Sequence, residues 1–595
     1  PLASPPTARG PLLFGDLENR GVLDLVSAGG TFFGSGRSGF AAAGTALAGD
    51  KGATVAALAA ADFDGDGRLD LARLDGGGVR LLRNRTTAPG EWLRVALRGV
   101  KNAKLAAGAE IEVRAGSSYQ KRPYAGVPLL FGLGRRQLAD SVRITWPNGL
   151  IQNELRQRAR TAATFTEAQR LSGSCPMIFT WDGKAFRFIT DVLGVAPLGA
   201  SAGDGEYFPV DHDEYVQVPG EALAASDGRY EVRVTEELRE VSYLDQIGLV
   251  AVDHPADLEI FTNDKFKGPP FPEFRLFGAR RRLHPRRAID GDGHDVTALL
   301  ARRDARYPDA FRRDYDGVAE LHTLELDFGD VARDGRAVLV LSGWVDWADG
   351  STYLGAGQRH GGGLVMPQLQ VQDEAGRWRT VVEDMGIPAG KPKTIAVDLT
   401  GKWLSPARAV RIVTNLCVYW DEAFLAENAA DPPARLTPLA ASAADLHYRG
   451  FSTPTIHPQR KQPERFDYAR LLAVPPWNPT PGLYTRYGDA RSVLAAADDL
   501  LLVMGSGDEV SLAFEAAALP ALPAGWRRDF LLLVDGWAKD RDANTAFGQT
   551  VEPLPFHGMS RYPCPAGEAF PDDEAHAQWR RETLTRPALR LVRPL

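Results

Sequence analysis

The sequence predicts an all-β protein on three observations: an acidic nonamer that recurs in weakened form, short strands of alternating polarity, and two continuous apolar strands that end in Gly-Trp. At 595 residues the chain has room for roughly four domains. Its 44% hydrophobic content is enough to give each of them a core. The net charge of -7 is spread over interspersed acids and bases with no basic stripe, which argues against nucleic acid as a partner. No run approaches the ~18 apolar residues of a membrane span. The chain begins Pro1-Leu2-Ala3 rather than with Met and a leader, as a processed or trimmed terminus does. Cys175, Cys417 and Cys564 lie far apart without a CxxC pair, so they form no zinc set and at most one disulfide.

The nonamer is Asp62-Phe63-Asp64-Gly65-Asp66-Gly67-Arg68-Leu69-Asp70. Carboxylates at near-alternate positions around glycines are how a tight loop wraps oxygen ligands round a hard cation of calcium size. The expected ligands are Asp62, Asp64 and Asp66, the Arg68 carbonyl, and Asp70, with Gly67 taking the sharp turn. Asp16-Leu17-Glu18-Asn19-Arg20-Gly21-Val22-Leu23-Asp24 aligns with it position by position. There Arg20 stands where a ligand oxygen belongs, so this copy is expected to be metal-free, with the guanidinium bridging Asp16 and Asp24. Each loop runs into an apolar strand, as in repeats of the propeller-blade kind. Gly34-Ser35-Gly36-Arg37-Ser38-Gly39 satisfies G-x-G-x-x-G, but no helical pattern follows, so a turn between blade strands is expected and a nucleotide is not. Asn84-Arg85-Thr86 forms an isolated sequon, a short match that carries little weight.

From Glu91 to Thr166 the pattern becomes that of a half-buried sheet, with strands at Leu93–Leu97, Ala109–Val113 and Ser141–Trp146. The acidic repeats resemble the FG-GAP/VCBS repeats of integrin-like propellers, whose DxDxDGxxD loop binds calcium. The motifs Leu130-Phe131-Gly132-Leu133-Gly134 and Val142-Arg143-Ile144-Thr145-Trp146-Pro147-Asn148-Gly149 resemble the ASPIC/UnbV domain, which follows such repeats in the cartilage acidic protein family and its long bacterial relatives. The resemblance covers roughly the first 170 residues. It implies a partial propeller-type module over 1–90 and a small β-domain over 91–170, with no catalytic residues to carry over.

The remaining two-thirds is strand-rich with short helical patches at most. Met177 to Phe188 reads as a hairpin turning at Asp182-Gly183. The Pro- and Arg-rich segments Lys267 to Arg287 and Pro454 to Pro481 are expected to wrap the surface. His322–Phe328 followed by Ala337–Trp344, and Glu509–Phe514 followed by Phe530–Trp537, each pair an alternating strand, expected at an outer position, with a continuous apolar one, expected at a sheet centre. They predict two β-sandwich, jelly-roll-like modules over 172–430 and 431–595.

Candidate chemistry beyond the nonamer is sparse. Asp540, Asp542 and Asn544 offer D-x-D-x-N oxygens to a second metal, and Asp290-Gly291-Asp292-Gly293-His294-Asp295 reads as a turn. Asp211-His212-Asp213-Glu214 gathers acids round one histidine and could ligate a metal or move protons, although a solvated loop is the simpler reading. His254, His360, His457 and His557 are scattered, and neither H-E-x-x-H nor G-x-S-x-G occurs. No residue is assigned to catalysis or to an organic cofactor; the cofactor expected is Ca2+. Trp344, Trp347, Trp420 and Trp537 could stack on sugars, although packing is the default for aromatics at strand ends. The expectation is a secreted or cell-surface calcium-binding protein acting by adhesion, envelope or matrix assembly, or glycan recognition. Its partners would be other surface proteins or glycans. A polysaccharide-active enzyme and a self-assembling filament subunit are the alternatives.

Overall fold

The computed structural model describes residues 10–588 except 28–29, 37–38, 43–53, 101, 169–175, 204, 316, 330–335, 347–348, 359–362, 428–430, 460 and 543. Strands account for 48% of the chain and helices for 5%, which makes the protein all-β. Two compact units are present, one holding the described residues up to 168 and the other those from 176 onward.

In the smaller unit, Leu12–Gly15, Asp24–Ser27, Gly30–Gly34 and Phe40–Ala42 form a four-stranded antiparallel meander. Ala57–Ala61, Asp70–Asp75 and Gly78–Leu82 form a three-stranded one. Each acidic loop joins the first two strands of its meander. The described residues contain no closed ring of blades. Gly30–Gly34 pairs antiparallel with Phe40–Ala42, and of the G-x-G-x-x-G stretch between them residues 37–38 lie outside the described residues.

The following β-domain has a sheet ordered Ser118–Pro123, Glu110–Ala115, Leu138–Thr145, Ile151–Arg158. A second sheet places Glu91–Arg98 between Leu129–Gly134 and a parallel Thr161–Thr166. Alternate residues Leu93, Val95, Ile111, Val113, Val142 and Ile144 are buried, each worth about 1.5–3 kcal/mol of transfer from water. No boundary falls at residue 90, because the first acidic loop is welded to this domain. Gly90 and Gly134 donate their N–H groups to the carbonyls of Glu18 and Asn19, both at 2.8 Å. A Cβ on Gly132 would lie 2.0 Å from Asp16 Oδ2, so the glycine of the Leu-Phe-Gly motif is required by close approach of the loop.

The larger unit is built by insertion. Its outer sheets combine strands from before and after the expected boundary at 430. One is ordered Phe186–Asp191, Met177–Trp181, Arg229–Thr235, Asp508–Glu515, Ala443–Tyr448, Gly488–Asp489. The other is ordered Asp213–Val218, Trp526–Lys539, Val241–Pro255, Arg435–Leu439, with Leu502–Gly505 added against Val241–Pro255. Residues 282–427 form two sheets of their own: Arg282–Leu283, Val418–Glu427, Ala337–Val345, Lys393–Asp398; and Arg287–Asp290, Val318–Asp327, Ala409–Leu416, Gln368–Gln372, Trp378–Val382, with Arg313–Tyr315 on Val318–Asp327.

Ala337–Val345 and Trp526–Lys539 sit mid-sheet and are buried along most of their length, as continuous apolar strands should be. Their alternating companions, Val318–Asp327 and Asp508–Glu515, were expected at outer positions but are paired on both sides. Alternation reports that one sheet face is buried, not where a strand stands in its sheet. The Pro-rich segments are also not wholly loop. Leu276–Ala279 pairs with Glu259–Thr262, and Arg465–Leu471 with Ser452–Thr455, each in a two-stranded ribbon that tolerates nearby prolines.

Candidate functional site

The acidic nonamer folds as a loop whose backbone is tied down by its first and last carboxylates. Gly67 N–H donates to Asp62 Oδ2 at 3.1 Å, and Phe63 N–H to Asp70 Oδ2 at 3.2 Å. The earlier copy repeats both bonds, Gly21 N–H to Asp16 Oδ2 at 2.6 Å and Leu17 N–H to Asp24 Oδ2 at 3.0 Å. The repeat is therefore one of hydrogen bonding as well as of sequence. Asp70 Oδ1 accepts from Asn84 N–H at 2.7 Å, so both oxygens of Asp70 accept backbone N–H groups, one from inside the loop and one from beyond the Gly78–Leu82 strand. Asp62, Asp64 and Asp66 do converge, with donor oxygens within 4.8 Å of one another. Arg83 pairs with Asp64 and Arg68 with Asp66. Asp62 Oδ1 is buried and has no hydrogen-bond partner, while Oδ2 faces the Arg94 guanidinium at 3.4 Å.

Gly67 (φ +81°) packs under Trp92, where a Cβ would fall 2.0 Å from Nε1. In the earlier copy the Arg20 guanidinium bonds Asp24 at 2.5 Å and Glu18 at 3.1 Å, while Asp16 accepts backbone N–H groups, from Arg20 at 2.8 Å and from Gly21. The expected Asp16–Asp24 bridge is thus a Glu18–Asp24 bridge. Asn84 donates its side-chain amide to Leu17 O at 2.8 Å and Leu69 O at 3.1 Å, tying the two loops together and leaving no amide proton for a glycan to replace without loss.

A second cluster lies in the larger unit and joins residues that are remote in sequence. His212, at the start of Asp213–Val218, places Nδ1 2.9 Å from Asp535 Oδ2. His557 places Nε2 2.9 Å from Asp535 Oδ1 and Nδ1 2.7 Å from Asp499 Oδ1. Asp245 Oδ2 is 3.4 Å from His557 Nδ1. Asp245 reaches the cluster because it is the extra residue of a β-bulge: Leu244 pairs with Gly536, Gln246 pairs with Asp535, and Asp245 has no opposite number. Gly536, with φ +149°, permits this, since a Cβ there would lie 2.0 Å from the Tyr243 carbonyl.

Burial opposes charge on His557, yet its hydrogen bonds to Asp499 and Asp535 push it up to about 10. Burial raises Asp245 to about 6, and burial with Asp213 nearby raises Asp211 to about 7. Burial also works to raise Asp535, but the two histidines hold it below the usual carboxylate range. The motif around His212 is therefore half-buried cluster chemistry, not the solvated loop that was the simpler reading. His557, Asp535, Asp499 and Asp245 were not singled out; the one local signal was Asp535-Gly536 interrupting an apolar strand. The two histidines line a cleft of about 690 Å³ together with Tyr207, Phe271 and Arg561.

Other expected sites fall away. Asp540 is held by Arg239 through two bonds of 2.6 and 2.8 Å, with Asp542 3.7 Å from the same guanidinium, so a fixed cation occupies the place an ion would take. Asn544 donates its side-chain amide to Ser351 Oγ at 2.8 Å. Asp290–Asp295 is a turn in which Asp290 Oδ1 accepts the N–H groups of Asp292 and His294. Trp344, Trp420 and Trp537 are at most 4% exposed, so they are core and form no sugar platform; Trp347 lies outside the described residues, as do His360 and Cys175. Among the described residues Cys417 and Cys564 are not joined in a disulfide.

Beside the cleft, Lys539 is 1% exposed and donates to Val551 O at 2.8 Å and Tyr562 OH at 3.1 Å. Burial pushes its ammonium down to about 7. The unfolded chain holds this proton up to a pKa of roughly 10.4, so stability should rise with pH between about 7 and 10 and be constant below that window. Lys539→Met removes the slope and should stabilise the unit at pH 7 by roughly 1–3 kcal/mol. Val551 O keeps the bond from Tyr243 OH, and Tyr562 OH keeps Pro553 O. Urea midpoints from pH 6 to 10 check this; parallel curves for the two proteins would refute it.

The family model for ASPIC and UnbV matches residues 99–172, which places that domain over most of the small β-domain. No curated protein matches the chain.

Proposed function

We propose that this chain is a secreted or cell-surface protein that acts by binding, with a structural calcium ion in an N-terminal FG-GAP/VCBS-type repeat. The observation that carries the reading is the Asp62 loop: three convergent carboxylates, one of which buries an oxygen with no hydrogen-bond partner. Asp62, Asp64 and Asp66 would hold the ion, which supplies charge neutralisation and rigidity there. A loop of this openness suits the millimolar calcium found outside cells. Contact is favoured as the mode of action by the blade's outer strand, Gly78–Leu82, which leaves Val79 70% and Leu81 64% exposed. In the larger unit, two sandwich-like modules, one inserted in the other, are the supporting framework. Surface proteins and glycans are the partners this reading assigns.

The test is thermal melting of the full chain in calcium and in chelator. At a calcium concentration 100 times the dissociation constant the wild type gains about 2.7 kcal/mol, so its first transition should rise by several degrees. Asp62→Asn combined with Asp64→Asn should show no such rise. Equal wild-type midpoints in both buffers would overturn the calcium site, and a glycan and surface-protein array with no retained ligand would overturn the binding role.

A second reading, a polysaccharide-active enzyme, is favoured by a cavity of about 320 Å³ lined by Glu214 and Asp264. Burial and the neighbouring Glu214 hold Asp264 well above the usual carboxylate range, as a proton-donating acid requires, and burial raises Glu214 as well. Release of reducing ends from a polysaccharide panel, abolished by Asp264→Asn, would decide for it.

A further inference from the structure

We infer that His212, His557 and Asp535 form a binding site for a divalent transition-metal ion facing the cleft of the larger unit. The site is separate from the calcium loop and does not rest on it. Two imidazoles and one carboxylate are the donors that select zinc, iron(II) or a neighbour in that series over calcium or magnesium.

The geometry is that of such a set. Donor atoms bound to one ion at about 2.0–2.2 Å sit roughly 3 Å apart. Here His212 Nδ1 and His557 Nε2 are each 2.9 Å from an oxygen of Asp535, and the three residues' donor atoms fall within 4.8 Å of one another. The supporting contact is also in place: Asp499 receives His557 Nδ1 at 2.7 Å and so fixes which nitrogen is turned toward Asp535. A carboxylate behind a metal-bound histidine orients the ring and strengthens it as a ligand.

An independent observation points to a missing cation. Asp245, with a fully buried side chain, has an Oδ1 with no hydrogen-bond partner, although its other oxygen lies against His557. Three carboxylates, those of Asp245, Asp499 and Asp535, thus surround two imidazoles. A buried acceptor left unpaired costs about 1–3 kcal/mol, and a dication bound at Nε2, across the ring from the Nδ1 that Asp245 faces, lowers that cost through charge. Both histidines line the cleft, so coordination positions beyond the three protein ligands open toward it. That is the arrangement of a reactive or ligand-exchanging site more than of a closed structural one.

The test uses the full chain, stripped by chelator and returned to calcium buffer, then titrated with cobalt(II) followed by visible absorption and with zinc(II) followed by calorimetry. One equivalent should bind, with ligand-field bands of nitrogen and oxygen donors. His212→Gln, His557→Gln and Asp535→Asn should each weaken binding beyond the roughly 10–100-fold expected of Asp499→Asn, which removes only the supporting contact. In parallel, wild-type protein labelled with 15N-histidine should show two imidazoles shifting on zinc addition, a reading independent of whether the variants fold. Absence of saturable binding by the wild type would overturn the site, as would one equivalent bound with neither imidazole perturbed. Loss of binding in Asp245→Asn with retention in Asp535→Asn would overturn the ligand assignment.

Discussion

Gly536→Ala is expected to cost the larger unit about 4 kcal/mol or more, among the largest effects a single methyl group can have. Its φ of +149° is open to glycine and strained for any other residue, and the added Cβ would meet the Tyr243 carbonyl at 2.0 Å and Leu244 Cα at 3.0 Å. Both obstacles are backbone of the neighbouring strand, so no side-chain rotation relieves them. The two longest strands of the molecule, Val241–Pro255 and Trp526–Lys539, would have to part at the bulge that aims Asp245. Chemical denaturation followed by tryptophan fluorescence checks the loss. A change under about 1 kcal/mol would mean that the bulge relaxes freely, and the account of how Asp245 is positioned would fail with it.

Lys391→Met should be nearly as damaging, at about 3–5 kcal/mol. Lys391 is 1% exposed, and its ammonium lies 2.6 Å from the equally hidden Glu464, while its own N–H bonds both oxygens of Asp191 at 3.0 Å. Two residues on, Lys393 reaches Glu214 and Asp191. This short segment therefore threads two buried ammonium groups into carboxylates of the surrounding chain, Glu464 before the Arg465–Leu471 ribbon strand and Asp191 and Glu214 on outer-sheet strands. Removing the ammonium facing Glu464 takes away a charge that compensates this buried carboxylate. The double variant Lys391→Met, Glu464→Gln should recover most of the loss, and the recovery measures the pair. Additive losses in that cycle would show that the lysine contributes through packing alone.

What the sequence disclosed follows from how far apart the interacting residues are. The Asp62 loop was readable because nine consecutive residues contain the bonds that close it, Gly67 to Asp62 and Phe63 to Asp70, and the Asp16 copy repeats both. Even so, Asp70 looked like a ligand, and only the structure shows its two oxygens accepting from Phe63 and Asn84. The apolar runs ending at Trp344 and Trp537 correctly marked mid-sheet strands. For the tryptophans packing was the default reading and burial agrees with it, whereas the alternative of a sugar platform needed depth that a one-dimensional pattern does not give. The cluster round His557 was invisible for a different reason: its members come from five separate segments, and nothing local couples Asp245 to Asp499. The boundary at 430 had the same weakness. The strand patterns on either side of it are alike, so composition could not reveal that one set of strands closes around the other.

That closure has a consequence for synthesis. His254 bonds Asp529, 275 residues later in the chain. At about 5–20 residues per second, a ribosome takes roughly 15–55 s to deliver the partner that Val241–Pro255 requires. During that interval the inserted strands of 282–427 emerge complete and can pair among themselves, while the first half of the outer sheets waits with its backbone donors and acceptors unmatched. The newborn chain thus spends a large part of its synthesis with its longest described strand lacking a neighbour on one side, and an edge left open in this way is one that other chains can pair with.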